Sequence, residues 1–138
     1  RIVEAPIAHN LGSTYLVLGN YSQALHYFEE DLQTSRELGW ERLAAFANMN
    51  IGYMLTALGD FERAKFASED ALASFRNLDC RPEQANVLLT QAGLQRLQGD
   101  LTSAYEGCLQ AIQIAEVEND PWRCSNKGTL KRRRNSST

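Results

Sequence analysis

An all-α fold, an alpha-alpha superhelix or solenoid of three helical hairpins, is predicted by three features of this 138-residue chain. First, Gly19, Gly59 and Gly99 recur at a spacing of 40 residues, each followed by Asn20, Asp60 or Asp100. Second, the same register carries Tyr21, Phe61 and Leu101, then Ala24, Ala64 and Ala104, then Leu32, Leu72 and Ile112. Third, Gly12, Gly52 and Ala92 agree seven residues before the punctuating glycine, and strand signals are absent between these marks. A fixed period maintained without a gap points to stacked supersecondary units.

Each element follows from its local chemistry. Helices are expected over 5–18 with 21–38, 41–58 with 61–78, and 82–98 with 101–117. Residues 41–58 lack proline and are rich in Ala, Leu and Met, which favour helix. Gly59 can take the left-handed conformation that ends a helix. Asp60 then offers an oxygen to the bare N–H groups that open the next one. Phe61, Ala64, Ala67, Ala71, Leu72, Phe75 and Leu78 fall on one face of that next helix by spacings of three and four. A stop and a start in two residues forces an antiparallel hairpin. Gly39 suits the end of the second helix, and Pro82 the first turn of the fifth.

Composition bounds the rest. With 43% hydrophobic and 22% charged residues, the chain reads as an ordinary soluble globular protein. No apolar run approaches a membrane span, no signal peptide is visible, and the start at Arg1 suggests a piece of something longer. Cys80, Cys108 and Cys124 are far apart and suggest no disulfide framework, which fits a reducing, cytoplasmic setting. Residues 1–118 hold eight Lys/Arg and sixteen Asp/Glu, a balance of −8, whereas residues 119–138 hold six basic residues and one acid, a balance of +5. The reading is an array over 1–118 in units of about 5–38, 41–78 and 82–117, followed by a basic, disordered tail over 119–138. Lys131 to Arg134 offer a nuclear-localisation or nucleic-acid patch, so that nucleic acid is expected at most weakly, through 127–134.

These residues resemble the tetratricopeptide repeat (TPR). Unit one matches through Leu11, Gly12, Tyr15, Gly19, Tyr21, Ala24 and Phe28. Unit two keeps Ile51, Gly52, Gly59, Phe61, Ala64 and Ala71, with Leu55 and Ser68 in place of aromatics. Unit three is looser, with Ala92, Gly99, Ala104 and Ala111, three glutamines at apolar positions, and Gly93 suggesting a local shift. The 40-residue period resembles the long-helix subclass of kinesin light chains, of polarity adaptors that modulate G-protein signalling, and of bacterial regulators. The resemblance implies a right-handed stack whose first helices line a concave groove for a protein or peptide partner.

By the same resemblance, the inward positions are His9, Asn10, Ser13, Leu16 and Val17 in unit one and Met49, Asn50, Tyr53 and Thr56 in unit two. In unit three they are Leu89, Thr90, Gly93, Arg96 and Leu97. Asn10, Asn50, Tyr53 and Arg96 are expected to hold the peptide over a floor of Leu16, Met49 and Leu89. An amide both donates and accepts, so Asn10 and Asn50 suit the backbone of an extended segment, although bonds to neighbouring helices or water would satisfy them equally. The lysines of a chaperone-tail clamp are missing at the corresponding places.

No catalytic constellation is apparent. His9 and His26 have no ligand-like neighbours, GxSxG and phosphate-binding glycine loops are absent, and Glu29, Glu30 and Asp31 read as a solvated face. Neither an enzyme nor a cofactor is expected. Two other readings stay open: a sensor or regulatory arm of a multidomain bacterial signalling or transcriptional regulator, and a passive spacer in a longer solenoid. The stripe of Leu101, Ala104, Tyr105, Cys108, Leu109, Ile112 and Ala115 has no polar capping helix after it. It is expected to be covered by more chain or by self-association.

Overall fold

The computed structural model describes residues 4–117; the expected tail, with Cys124 and Lys131 to Arg134, lies outside the described residues. Six helices follow one another: α1 (Glu4–Val17), α2 (Tyr21–Leu38), α3 (Glu41–Leu58), α4 (Phe61–Asn77), α5 (Arg81–Leu97) and α6 (Leu101–Val117). Every described residue outside them is in a short turn or link. Each helix packs on its neighbour in the chain, and α3 also touches α5, which gives the stepped stack of an α-solenoid. None of the described helices is long and apolar enough to cross a membrane.

The punctuation works as its chemistry requires. Gly39 and Gly59 close α2 and α3 in left-handed geometry, at φ 75° and 87°. Asn20 and Asp60 accept hydrogen bonds from the backbone N–H groups of Gln23 and Arg63 at 3.3 and 3.4 Å. Asp100 does the same for Ser103 at 3.2 Å. The Ser103 hydroxyl first, and its N–H second, hold the exposed Asp100 carboxyl below the usual carboxylate range. After α4, Asp79 takes the position that Gly39 holds after α2, at φ 58°. Pro82 sits in the first turn of α5, and that helix runs through Gly93 unbroken, so the local shift expected there does not occur.

Close approach of the helices depends on small residues at one level of each hairpin. A Cβ on Gly12 would lie 2.9 Å from two ring carbons of Phe28, whose side chain is fully buried. In unit two the partners are Gly52 and Ser68, with a Cβ at 2.5 Å from the Ser68 Oγ. In unit three, Ala92 fills the equivalent place and Gly107 of α6 yields instead, its would-be Cβ standing 3.6 Å from that of Ala92. Two apolar clusters then tie the hairpins together. One joins units one and two through Phe28, Met54, Leu55 and Ala64. The other joins units two and three through Phe75, Val87, Leu88 and Ala111.

Ion pairs cross the first of these two seams, whereas the second is crossed by a neutral bond from the buried Gln84 Nε2 to the Phe75 carbonyl at 3.2 Å. Arg36 of α2 pairs with Asp70 of α4 at 2.9 Å, and Arg63 of α4 pairs with Glu29 of α2 at 3.2 Å. The buried Asn48 donates its Nδ2 to the same Asp70 at 2.9 Å. At the positions 40 residues on, Arg76 faces a register partner Gln110, and Glu69 a register partner Ser103, so no charge pair can form.

Two sequence expectations need correction. Glu29 and Glu30 are exposed as a solvated face should be, but Asp31 is only 1% exposed. It points into the hairpin, where units two and three carry Ala71 and Ala111. The cysteines are not all independent either: Cys108 is a half-buried free thiol, whereas the buried Cys80 is disulfide-bonded.

Candidate partner-binding groove

The first helices of units two and three build the groove. Gly52 and Ala92 draw α3 and α5 against their own second helices, which turns the opposite sides of α3 and α5 outward along one face. There Tyr53, Thr56 and Ala57 of α3 and Leu89, Thr90, Gly93, Arg96 and Leu97 of α5 enclose a cavity of about 400 Å³. Tyr53, Leu89 and Leu97 are about half exposed, at 48%, 50% and 53%, an apolar lining that water reaches. The two threonines are internally satisfied: Thr56 Oγ1 donates to the Gly52 carbonyl at 2.8 Å and Thr90 Oγ1 to the Asn86 carbonyl at 3.2 Å. That leaves Arg96 as the charged group of the lining.

Of the residues expected in the groove, the structure therefore unites Tyr53, Thr56, Leu89, Thr90, Gly93, Arg96 and Leu97. Ala57 lines the same cavity without being among those expected; its offset of four from Tyr53 on one helix is the signal that finds it. The remaining residues lie elsewhere. Asn10 is exposed on α1, its carbonyl accepting a hydrogen bond from Thr14, while Ser13 and Asn50 are half-buried. Leu16 and Met49 pack on the two apolar clusters as partly buried side chains. His9 crosses to α2: its Nδ1 lies 3.0 Å from Asp31 Oδ2, and its ring meets that of Phe28 edge-on at 5.5 Å. Ser35 completes this set by donating its hydroxyl to Asp31 Oδ1 at 3.2 Å. Sequence register alone assigns His9 to the groove, and Asp31 shows what register omits: a buried acid draws the nearest donor to itself.

Two other concavities have structural explanations. One of about 420 Å³ is lined by Ile7, Leu11 and Tyr27 on the first hairpin. The equivalent Ala47, Ile51 and Ala67 of unit two are buried, the latter two in the cluster shared with unit one, so this is a stacking face. A smaller one, about 210 Å³, lies between α2 and α4 and is lined by the Arg36, Asp70, Arg63 and Glu29 side chains of the two ion pairs.

Comparison with known proteins agrees with this hairpin plan. Residues 7–38 match one family described as tetratricopeptide repeat, and residues 47–77 match a second of the same description. These spans fall on the first and second hairpins. The chain is similar to a Tonsoku-like protein of Drosophila melanogaster, with 26% identity over 110 residues. That match covers 78% of this chain but 8% of the relative, so the chain spans less than a tenth of that protein's length. The first two hairpins are thus matched as tetratricopeptide repeats, and the third continues the same register and packing.

Proposed function

We propose that the groove between α3 and α5 receives a peptide segment of a protein partner. Tetratricopeptide repeats are in general protein-interaction modules, and this chain is read as a non-catalytic member. The observation that carries the assignment to this groove is the convergence of Tyr53, Leu89 and Leu97, all half exposed, on one cavity with a single charged side chain. Exposed aromatic and aliphatic side chains in a concave, partly desolvated setting are what interface anchors require. The long-helix subclass is part of this reading, because the 40-residue period persists through all three hairpins.

Affinity capture from a lysate by the native chain and by Tyr53→Ala/Leu89→Ala tests the groove. A partner retained by the native chain should be lost from the double variant, while both chains give the same helical spectrum. Recovery of that partner by both would move the contact to the second helices or to the ends of the stack. Asn10→Ala/Asn50→Ala, assayed alongside, is expected to have the smaller effect, since neither amide lines the cavity.

Self-association through α6 belongs to the same proposal. Leu101, Tyr105, Leu109 and Ile112 share one side of that helix and are 66%, 67%, 45% and 52% exposed. At two of these positions, 105 and 109, α4 carries Lys65 and Glu69. Light scattering over a range of concentrations should show a rise in mass that Leu109→Glu suppresses; a constant monomer mass for the native chain would refute it.

A further inference from the structure

We infer that the occupant of this groove is a short segment in which a bulky apolar side chain lies next to a carboxylate, the first seated over Gly93 and the second on Arg96. The inference rests on the groove reading above and adds the chemistry of its ligand.

Gly93 carries the first half. The helix-level glycines of units one and two are there because a Cβ would collide with Phe28 or Ser68. Gly93 is different, since a Cβ on it would meet nothing within 4 Å. Glycine is a poor residue for a helix interior, so its presence in mid-α5 without a packing demand is a cost with no return inside the fold. What its missing side chain does is leave room in the cavity. The equivalent residue of unit two is Tyr53, which stands on the other wall of the same cavity. A large side chain on one wall and none on the other gives a recess framed by Tyr53, Leu89 and Leu97, apolar and sized for a residue such as leucine, methionine or phenylalanine.

Arg96 carries the second half. Arg36, Arg63 and Arg81 each lie within ion-pair distance of a carboxylate, whereas Arg96, like Arg42 and Arg76, has no such partner among the described residues, and of these three it is the one that lines the cavity. It also stands where units one and two have Leu16 and Thr56, so the repeat does not require it. The array surrounding it is acidic, with a balance of −8 over residues 1–118. An unpaired guanidinium beside an apolar recess selects a carboxylate at that point of the ligand, and against the acidic surroundings Arg96 is the local spot where such a group is favoured.

The test selects random peptides displayed on phage against the native chain, Gly93→Leu, Arg96→Glu and Tyr53→Ala/Leu89→Ala, each first shown to keep its helical content. The native chain should enrich peptides with Leu, Ile, Met or Phe adjacent to Asp or Glu. Gly93→Leu and Arg96→Glu should each weaken a selected peptide by at least about tenfold, the size of one lost anchor. Arg96→Glu should in addition enrich Lys or Arg in place of the acid. Peptides that are lost from Tyr53→Ala/Leu89→Ala yet bind Gly93→Leu and Arg96→Glu as well as the native chain would leave the groove reading standing and overturn this inference. Peptides bound equally by all four chains, or none enriched by the native chain, would overturn both.

Discussion

Replacing Phe28 by alanine is expected to lower the stability of the array by about 3–5 kcal/mol, read from the midpoint of urea unfolding at unchanged slope. Its ring is fully buried in the cluster that joins units one and two, and it fills the space that Gly12 leaves open. The same contact makes the change Gly12→Ala harmful on its own, by about 1–3 kcal/mol, because a buried ring cannot retreat from a new methyl group. Combined, the two substitutions should not add. With the ring gone, the methyl group introduced by Gly12→Ala would occupy part of the void and improve helix propensity, so the double variant should be no less stable than Phe28→Ala alone. A double variant that is less stable by the full Gly12→Ala cost would mean that Gly12 is there for a reason other than this ring.

The second large effect concerns the buried acid. Removing the imidazole by His9→Ala leaves Asp31, 1% exposed, with Ser35 as its remaining side-chain donor in the described set. Because the His9 side chain is one-third exposed and water can enter in its place, the expected cost is about 1–3 kcal/mol rather than that of a fully buried broken pair. The other hairpins supply the control. Unit two has Met49 and Ala71 at the positions of His9 and Asp31, and unit three has Ala115 at the position of Ser35. Introducing His9→Met, Asp31→Ala and Ser35→Ala together removes donors and acceptor at once. The triple variant should lie within about 1 kcal/mol of the native chain or above it, since apolar replacement of a complete buried polar set is often neutral or stabilising. A triple variant as unstable as His9→Ala would show that the imidazole matters through its packing on Phe28 and not through the acid.

These cases mark what the residues disclose and what they withhold. Helix existence and most bounds are legible because Gly-Asn and Gly-Asp do their work locally: a left-handed stop and a side-chain cap need no distant partner. Alternation of three and four correctly names the face that buries Ala64, Ala71 and Phe75. Register also brings positions 53, 56, 89, 90 and 96 to one cavity between α3 and α5, since they owe their direction to helix phase alone. It fails where a side chain answers to another side chain. Asp31 sits at a position that is apolar in both other units, and that mismatch is the available sign that it is buried. His9 follows it, and the pairing has no signature at a separation of 22 residues. Gly93 misleads for a related reason: glycine in a helix suggests a break, whereas α5 tolerates it and exposes the gap.

The ion pairs between neighbouring hairpins are unevenly distributed. Arg36–Asp70 and Arg63–Glu29 are exposed pairs and add little to stability, but their directional geometry fixes how α2 may slide on α4. The junction of units two and three is held by apolar contacts among residues such as Phe75, Val87 and Ala111 and by the neutral bond from Gln84 to the Phe75 carbonyl, and α4 meets α5 over less of its length than α2 meets α3. The seam without interhelical ion pairs is thus the one behind the cavity, where Tyr53 stands on one wall and Leu89 and Arg96 on the other.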